Sequence, residues 1–207
     1  SGLGCAAICP RSAMLTRSLG NLERQDFGFQ PDGLVYVSVN TPPSTYSLDK
    51  LDAVYRGLQE RLSQTPGIQR AGLGMYAPLT DNWGELIFVD GHPPAKMNSE
   101  SGSSWDRVSA GFLETVGQPV LRGRGIAPSD TVNTENITVV NEAFVKRFFP
   151  NEDPLDKHFG IDLPANSRKY RIVGVVKDAK YTQPTRPVRP MFFAPLSQRT
   201  TYDVPLL

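Results

Sequence analysis

The apolar and polar positions of the chain are organised around the stretch from Ile137 to Asp178. Ile137-Thr138-Val139-Val140 is a short apolar run and predicts a strand. Asn141-Glu142 separates it from Ala143-Phe144-Val145-Lys146-Arg147-Phe148-Phe149, which predicts two turns of helix. Pro150 stops that helix, because it has no N–H and its ring clashes with the preceding turn. Asn151-Glu152-Asp153-Pro154-Leu155 reads as a turn. Tyr170-Arg171-Ile172-Val173-Gly174-Val175-Val176-Lys177-Asp178 is the strongest strand signal of the chain, since dense β-branched residues suit a buried pleated surface. Strand, short helix and strand predict one compact unit, with the flanking segments packed around it.

Elsewhere the periods are shorter. Val35, Val37 and Val39 share one face of an alternating run over residues 34–39, which predicts a half-buried strand. Ser47 is placed to cap a helix running to about Ser63, with Leu51, Val54, Tyr55, Leu58 and Leu62 as its apolar stripe. Pro66-Gly67 ends it, and residues 68–76 alternate weakly as a second strand. Residues 34–76 therefore predict a strand–helix–strand unit of βαβ length. Apolar residues at 15, 19 and 22 predict a helix from Ala13 to Leu22. Residues 78–83 read as a loop, 85–90 as a strand, 95–104 as a mobile loop and 105–109 as a strand. A helical turn over 112–117 closes on Gly117, an edge-like strand covers 118–124, and Met191-Phe192-Phe193-Ala194 forms a last short strand. The fold class is α+β.

Composition excludes more than it assigns. The 207 residues carry a net charge of +1, which offers no concentrated basic surface for nucleic acid. Glycine and proline, 18 each, imply many turns and short elements. The two cysteines, Cys5 and Cys9, stand in a C-x3-C spacing without a second pair, whereas a zinc site needs about four ligands. No apolar run approaches the roughly 18–20 residues of a spanning helix. Leu3 to Leu15 is mildly apolar, but Pro10, Arg11 and Ser12 interrupt it, and no charged region precedes it as in a secretory signal. The chain begins at Ser1, not Met, and reads as a piece of a longer protein.

Candidate chemistry is sparse. His92 and His158 are the only histidines, and neither neighbours a nucleophile motif. Arg122-Gly123-Arg124-Gly125 could cradle an anion, but it lacks a strand-to-helix context and reads better as an edge-strand turn. Glu142, Asp153 and Asp178 could serve as paired carboxylates of a glycosidase. Their structural readings are stronger: Glu142 at a helix start, Asp153 before a turn proline, Asp178 at a strand end. Most of the aromatics read as core, with Trp83, between Asn82 and Gly84, as a candidate exposed contact residue. Asn136-Ile137-Thr138 matches a glycosylation sequon by coincidence of a strand start. No catalytic, cofactor-binding or metal-ligating residue is assigned.

Several stretches in order resemble one family. They are Asp26-Phe27-Gly28-Phe29; Pro66-Gly67-Ile68; Phe112-Leu113-Glu114-Thr115-Val116-Gly117 with Leu121-Arg122-Gly123-Arg124; Val140-Asn141-Glu142-Ala143 with Phe149-Pro150-Asn151-Glu152-Asp153-Pro154-Leu155; Ile172-Val173-Gly174-Val175-Val176-Lys177-Asp178; and Arg189-Pro190-Met191-Phe192-Phe193-Ala194-Pro195. Together they resemble the MacB-like periplasmic core domain of macrolide-exporter-type, FtsX-like ABC transporter permeases, and are similar to those abundant in acidobacteria.

The resemblance implies two subdomains. Residues 26–110 and 180–207 would form a porter-like α+β layer containing the βαβ unit, and residues 111–179 a smaller mixed, β-rich insert. Residues 1–25 would end a membrane-proximal helix. It further implies a non-catalytic element on the periplasmic side of the inner membrane that transmits conformational change during export. Its partners would be the rest of the permease with its ATPase subunit and, in some members, a periplasmic adaptor protein. The full-length protein would be a dimer, with no cofactor and no nucleic acid. In the family a further helix and strand complete the porter layer. This chain stops at Leu207, which would leave a sheet edge open to pairing with another copy. The alternatives are a soluble module that captures a ligand between two subdomains and, more remotely, a hydrolase using carboxylates.

Overall fold

The computed structural model describes residues 26–39, 48–80, 82–93 and 101–198. The helix expected at 13–22, Cys5 and Cys9 lie outside them. So does most of the loop expected at 95–104. In chain order the elements are α1 (Leu48–Ser63), β1 (Trp83–Leu86), β2 (Phe88–Val89), β3 (Gly102–Val108), α2 (Phe112–Thr115), β4 (Val120–Gly123), β5 (Ile137–Asn141), α3 (Glu142–Phe148), β6 (His158–Gly160), β7 (Tyr170–Val176) and β8 (Met191–Pro195). Short 3-10 turns follow β6 and β8, at Pro164–Asn166 and Leu196–Gln198.

All strands among the described residues belong to one eight-stranded mixed sheet, in the order β1-β3-β8-β5-β7-β6-β2, with β4 also on β7. The expected unit forms its centre: β5 and β7 pair in parallel, and α3 lies between them in the chain. A crossover connection of this kind is what parallel neighbours require. β3 and β8 form a second parallel pair, and β8 joins β5 antiparallel. The sheet thus takes strands from both sides of residue 110.

Each face of the sheet carries its own apolar cluster. Trp105, Val140, Ile172, Val175 and Phe192 face one side, where Tyr55 of α1 and Phe144 of α3 pack. Val108, Val139, Val173, Val176 and Phe193 face the other, against Phe112 and Leu113 of α2. A register shift between Thr138 and Val139 lets Gly174 rather than Val173 pair, so the alternation along β7 changes phase there. Gly174 also allows close approach: a Cβ on it would stand 2.0 Å from the Arg124 carbonyl oxygen.

The structure corrects five expectations. Residues 34–39 form no strand: Val35 is 83% exposed and Val37 71%, and no described strand lies beside them. Residues 68–76 contribute only an isolated bridge, Gly74 to Val108, so α1 is not flanked by a βαβ pair. The strand expected at 85–90 divides at Ile87 into β1 and β2, because the Ile87 N–H turns to the Ser101 carbonyl while β2 pairs with β6. Trp83 opens β1 instead of sitting in a loop, and Gly102, Ser103 and Ser104, expected in the mobile loop, pair with Leu86, Glu85 and Gly84. β6 escaped the sequence reading, since three residues are too few to show a period.

Candidate functional site

Two polar clusters and one exposed edge hold several of the candidate residues. Asn141 ends β5 and caps α3. Its Oδ1 accepts from the Phe144 N–H and the Met191 N–H, both at 2.9 Å, and its Nδ2 donates to the Arg189 carbonyl at 2.9 Å. One buried side chain therefore joins β5, α3 and the entry to β8. Beside it, Asp178 accepts from the Ala143 N–H at 2.9 Å while Glu142 accepts from the Asp178 N–H at 3.0 Å. The two candidate carboxylates are thus brought together, each engaged on a backbone donor. Burial raises the Asp178 carboxyl, the Ala143 N–H opposes this, and the Glu142 charge adds to the rise. Asp153 lies apart, accepting from the Leu155 N–H at 3.0 Å and from Arg122 at 2.8 Å. This arrangement closes helix and turn ends, as the structural reading expects.

The second cluster surrounds Asp106, fully buried in β3. Its Oδ1 accepts from the Met75 N–H at 3.0 Å and the Tyr76 N–H at 3.3 Å, while Oδ2 has no hydrogen-bond partner. Burial pushes this carboxyl well above the usual range, against the backbone donors. Burial and then the Asp106 charge push the Tyr181 hydroxyl up as well, and that hydroxyl donates to Gln118 at 3.1 Å. Ser109 accepts from the Leu73 N–H at 3.0 Å, and Gln59 of α1 donates to the Ala71 and Ala110 carbonyls at 2.8 and 2.9 Å. Together these groups strap the segment after α1 onto the end of β3. Sequence reading missed Asp106, because an acid between Trp105 and Arg107 looks like a solvated strand position.

The remaining candidates separate. Arg122 pairs with Asp153, and Arg124 makes a two-pronged pair with Asp130 at 2.7 and 2.8 Å, so this glycine-rich stretch already holds carboxylates. Burial raises Asp130, but the Arg124 guanidinium and the Ala127 N–H outweigh it and hold the carboxyl below its ordinary value. His92 contacts Glu152 at 3.3 Å and His158 contacts Glu135 at 3.2 Å. Among the described residues no three His, Cys, Asp or Glu converge as metal ligands. Trp83 is 60% exposed on the edge strand, its Nε1 donating to Glu85 at 2.9 Å. Thr138 of the sequon is fully buried in β5.

The model of the MacB-like periplasmic core domain family matches residues 12–204. The chain belongs to that family. It is a MacB-like periplasmic domain of an ABC transporter permease, and so an extracytoplasmic transporter domain. Among solved structures, the periplasmic region of MacB from Actinobacillus actinomycetemcomitans is similar at 20% identity and a TM-score of 0.48, covering 69% of this chain and 55% of that one. The extracellular domain of the ABC-type transporter YknZ from Gram-positive bacteria is similar at 11% identity and 0.41, covering 66% and 59%. A domain assigned to a permease of Porphyromonas gingivalis is similar at 15% and 0.45, covering 70% and 57%. This MacB-like domain therefore spans less than two thirds of each of these chains. No match was found among curated proteins. No helix among the described residues is long and apolar enough to cross a membrane.

Proposed function

We propose that this MacB-like domain is a non-catalytic lever of an ABC transporter permease, which carries conformational change from the membrane part and its ATPase subunit outward and docks partners during export. The family match over residues 12–204 carries this reading. The packing supports it: one sheet clamped on both faces, with Asn141 and Asp178 locking its central crossover, favours displacement as a unit over deformation. Close-packed interiors transmit strain in this way.

The test uses the full-length permease as a dimer in proteoliposomes. Cys5 and Cys9 are replaced by serine, and Leu121, 48% exposed on β4, is replaced by cysteine and spin-labelled. The distance between the two labels is expected to change between nucleotide-free and ATP-bound states. An identical distance distribution in both states would remove the lever.

A further inference from the structure

One corner of the domain gathers positive charge that no acid pairs with among the described residues. Thr80, Thr182, Gln183, Arg186 and Arg189 line a depression. Asn82, Ser104, Lys180 and Arg189 help line a second one that shares Thr182 and Gln183 with the first. Among the described residues no carboxylate lines either. Elsewhere Arg56, Arg122, Arg124, Arg168 and Arg171 each face an acid within 3.0 Å. Arg186 and Arg189 enter no ion pair among the described residues, and both are exposed. Lys180 turns its ammonium onto the Arg186 carbonyl.

The loop that carries the two arginines is anchored. The Arg189 carbonyl accepts from Asn141 at 2.9 Å, the Pro190 carbonyl from the Ser104 N–H at 2.9 Å, and the Arg186 N–H reaches the Gln183 carbonyl at 3.2 Å. A backbone held in this way spends less ordering entropy when a ligand arrives. Adjoining it, Asn82 leads directly into Trp83 on β1. β1 is the end of the strand order, so no described strand pairs with its outer side.

We propose that this corner is a docking site for an extended segment of a partner protein bearing carboxylate side chains. The guanidinium fork matches a carboxylate, and Arg and Trp are the side chains that dominate interface energies. A phosphate headgroup satisfies the arginines equally well. It leaves the N–H and C=O groups of an edge strand unanswered, whereas a polypeptide strand answers both. Glu85 is the acid beside Trp83, and it lines neither depression. A strand laid on β1 would therefore place its carboxylates at the Arg186 end. The inference rests on the docking half of the proposed function and names the chemistry of the partner.

The probe is a fluorescein-labelled hexapeptide of alternating glutamate and valine with blocked ends, titrated against the full 207-residue chain at low salt and followed by anisotropy. Binding is expected. It weakens at least tenfold in the double variant Arg186→Ala/Arg189→Ala, weakens severalfold in Trp83→Ala, and is unchanged in Arg56→Ala. Added salt weakens it. Melting temperatures of the three variants show that all remain folded. The proposal is overturned if the hexapeptide does not bind, if the double variant binds it equally, or if the lysine–valine counterpart binds as well. It is also overturned, in favour of a lipid surface, if phosphatidylglycerol vesicles retain the chain through these arginines and the peptide does not bind. The spin-label distances involve none of these residues, so the lever and the docking corner can fail separately.

Discussion

A buried acid without a counter-charge is the sharpest single-residue feature of the domain. Asp106 is raised in the folded state, chiefly by burial, above its ordinary value of 3.8. As pH climbs from about that unfolded value towards the raised folded one, the unfolded chain releases the proton first. In that window the folded chain holds more protons, so stability falls as pH rises. Below the unfolded value the contribution is fully present. Asp106→Asn keeps an oxygen for the Met75 and Tyr76 donors but cannot ionise. Urea denaturation between about pH 4 and 8 should show the variant losing part of the downward slope of the parent, and identical slopes would mean that Asp106 does not titrate on unfolding. Asp106→Ala removes the acceptor of the Tyr76 N–H and leaves the Met75 N–H only the Arg107 carbonyl. It should lower stability by about 1–3 kcal/mol at low pH, and the deficit should narrow as pH rises, because only the parent then carries the cost of a buried carboxyl.

Among the elements, the central crossover explains itself locally and the edges do not. β5, α3 and β7 were legible because their residues alternate, cap and stop within one continuous stretch, and each element finds its partner inside that stretch. Residues 34–39 alternate as cleanly, yet alternation only makes a strand possible; a neighbour makes it actual, and no described strand provides one. Asn141 was readable as the residue before a helix start, but its reach to Met191 and Arg189, about 50 residues on, belongs to tertiary structure and leaves no local trace. The same holds for Gln198, whose side chain accepts from the Ile137 N–H at 3.0 Å and donates to the Glu135 carbonyl at 2.8 Å. Asn141→Ala should therefore exceed an ordinary cap loss of about 1 kcal/mol, because it also frees the Met191 N–H inside the core. A loss no larger than that in chemical denaturation would reduce Asn141 to a simple cap. Gly174→Ala tests the edge instead. The 2.0 Å approach to the Arg124 oxygen must open, so β4 should detach from β7, and its amides should exchange faster while those of β5 stay protected.

For the whole molecule, the contrast between sheet and helix layer decides where motion can occur. The central strands are buried almost throughout, with Val139, Val140, Ile172, Val176 and Phe193 at 0–1% exposure. Of the apolar stripe of α1, Tyr55 alone is buried, and Val54 is 42% exposed. Gln59 supplies a polar tether from α1 to the Ala71 and Ala110 carbonyls. Elements with little buried apolar surface open below the global unfolding free energy. Native-state hydrogen exchange should therefore rank α1 well below β5, β7 and β8. Gln59→Ala removes the tether and should speed exchange along α1 severalfold, while the slowest amides of β5 and β7 keep their rates. A lever needs that separation, a stiff body with a layer that can shift against it. If Gln59→Ala instead accelerated β5 and β7 in step with α1, helix and sheet would be one cooperative unit, and motion would have to enter the domain elsewhere.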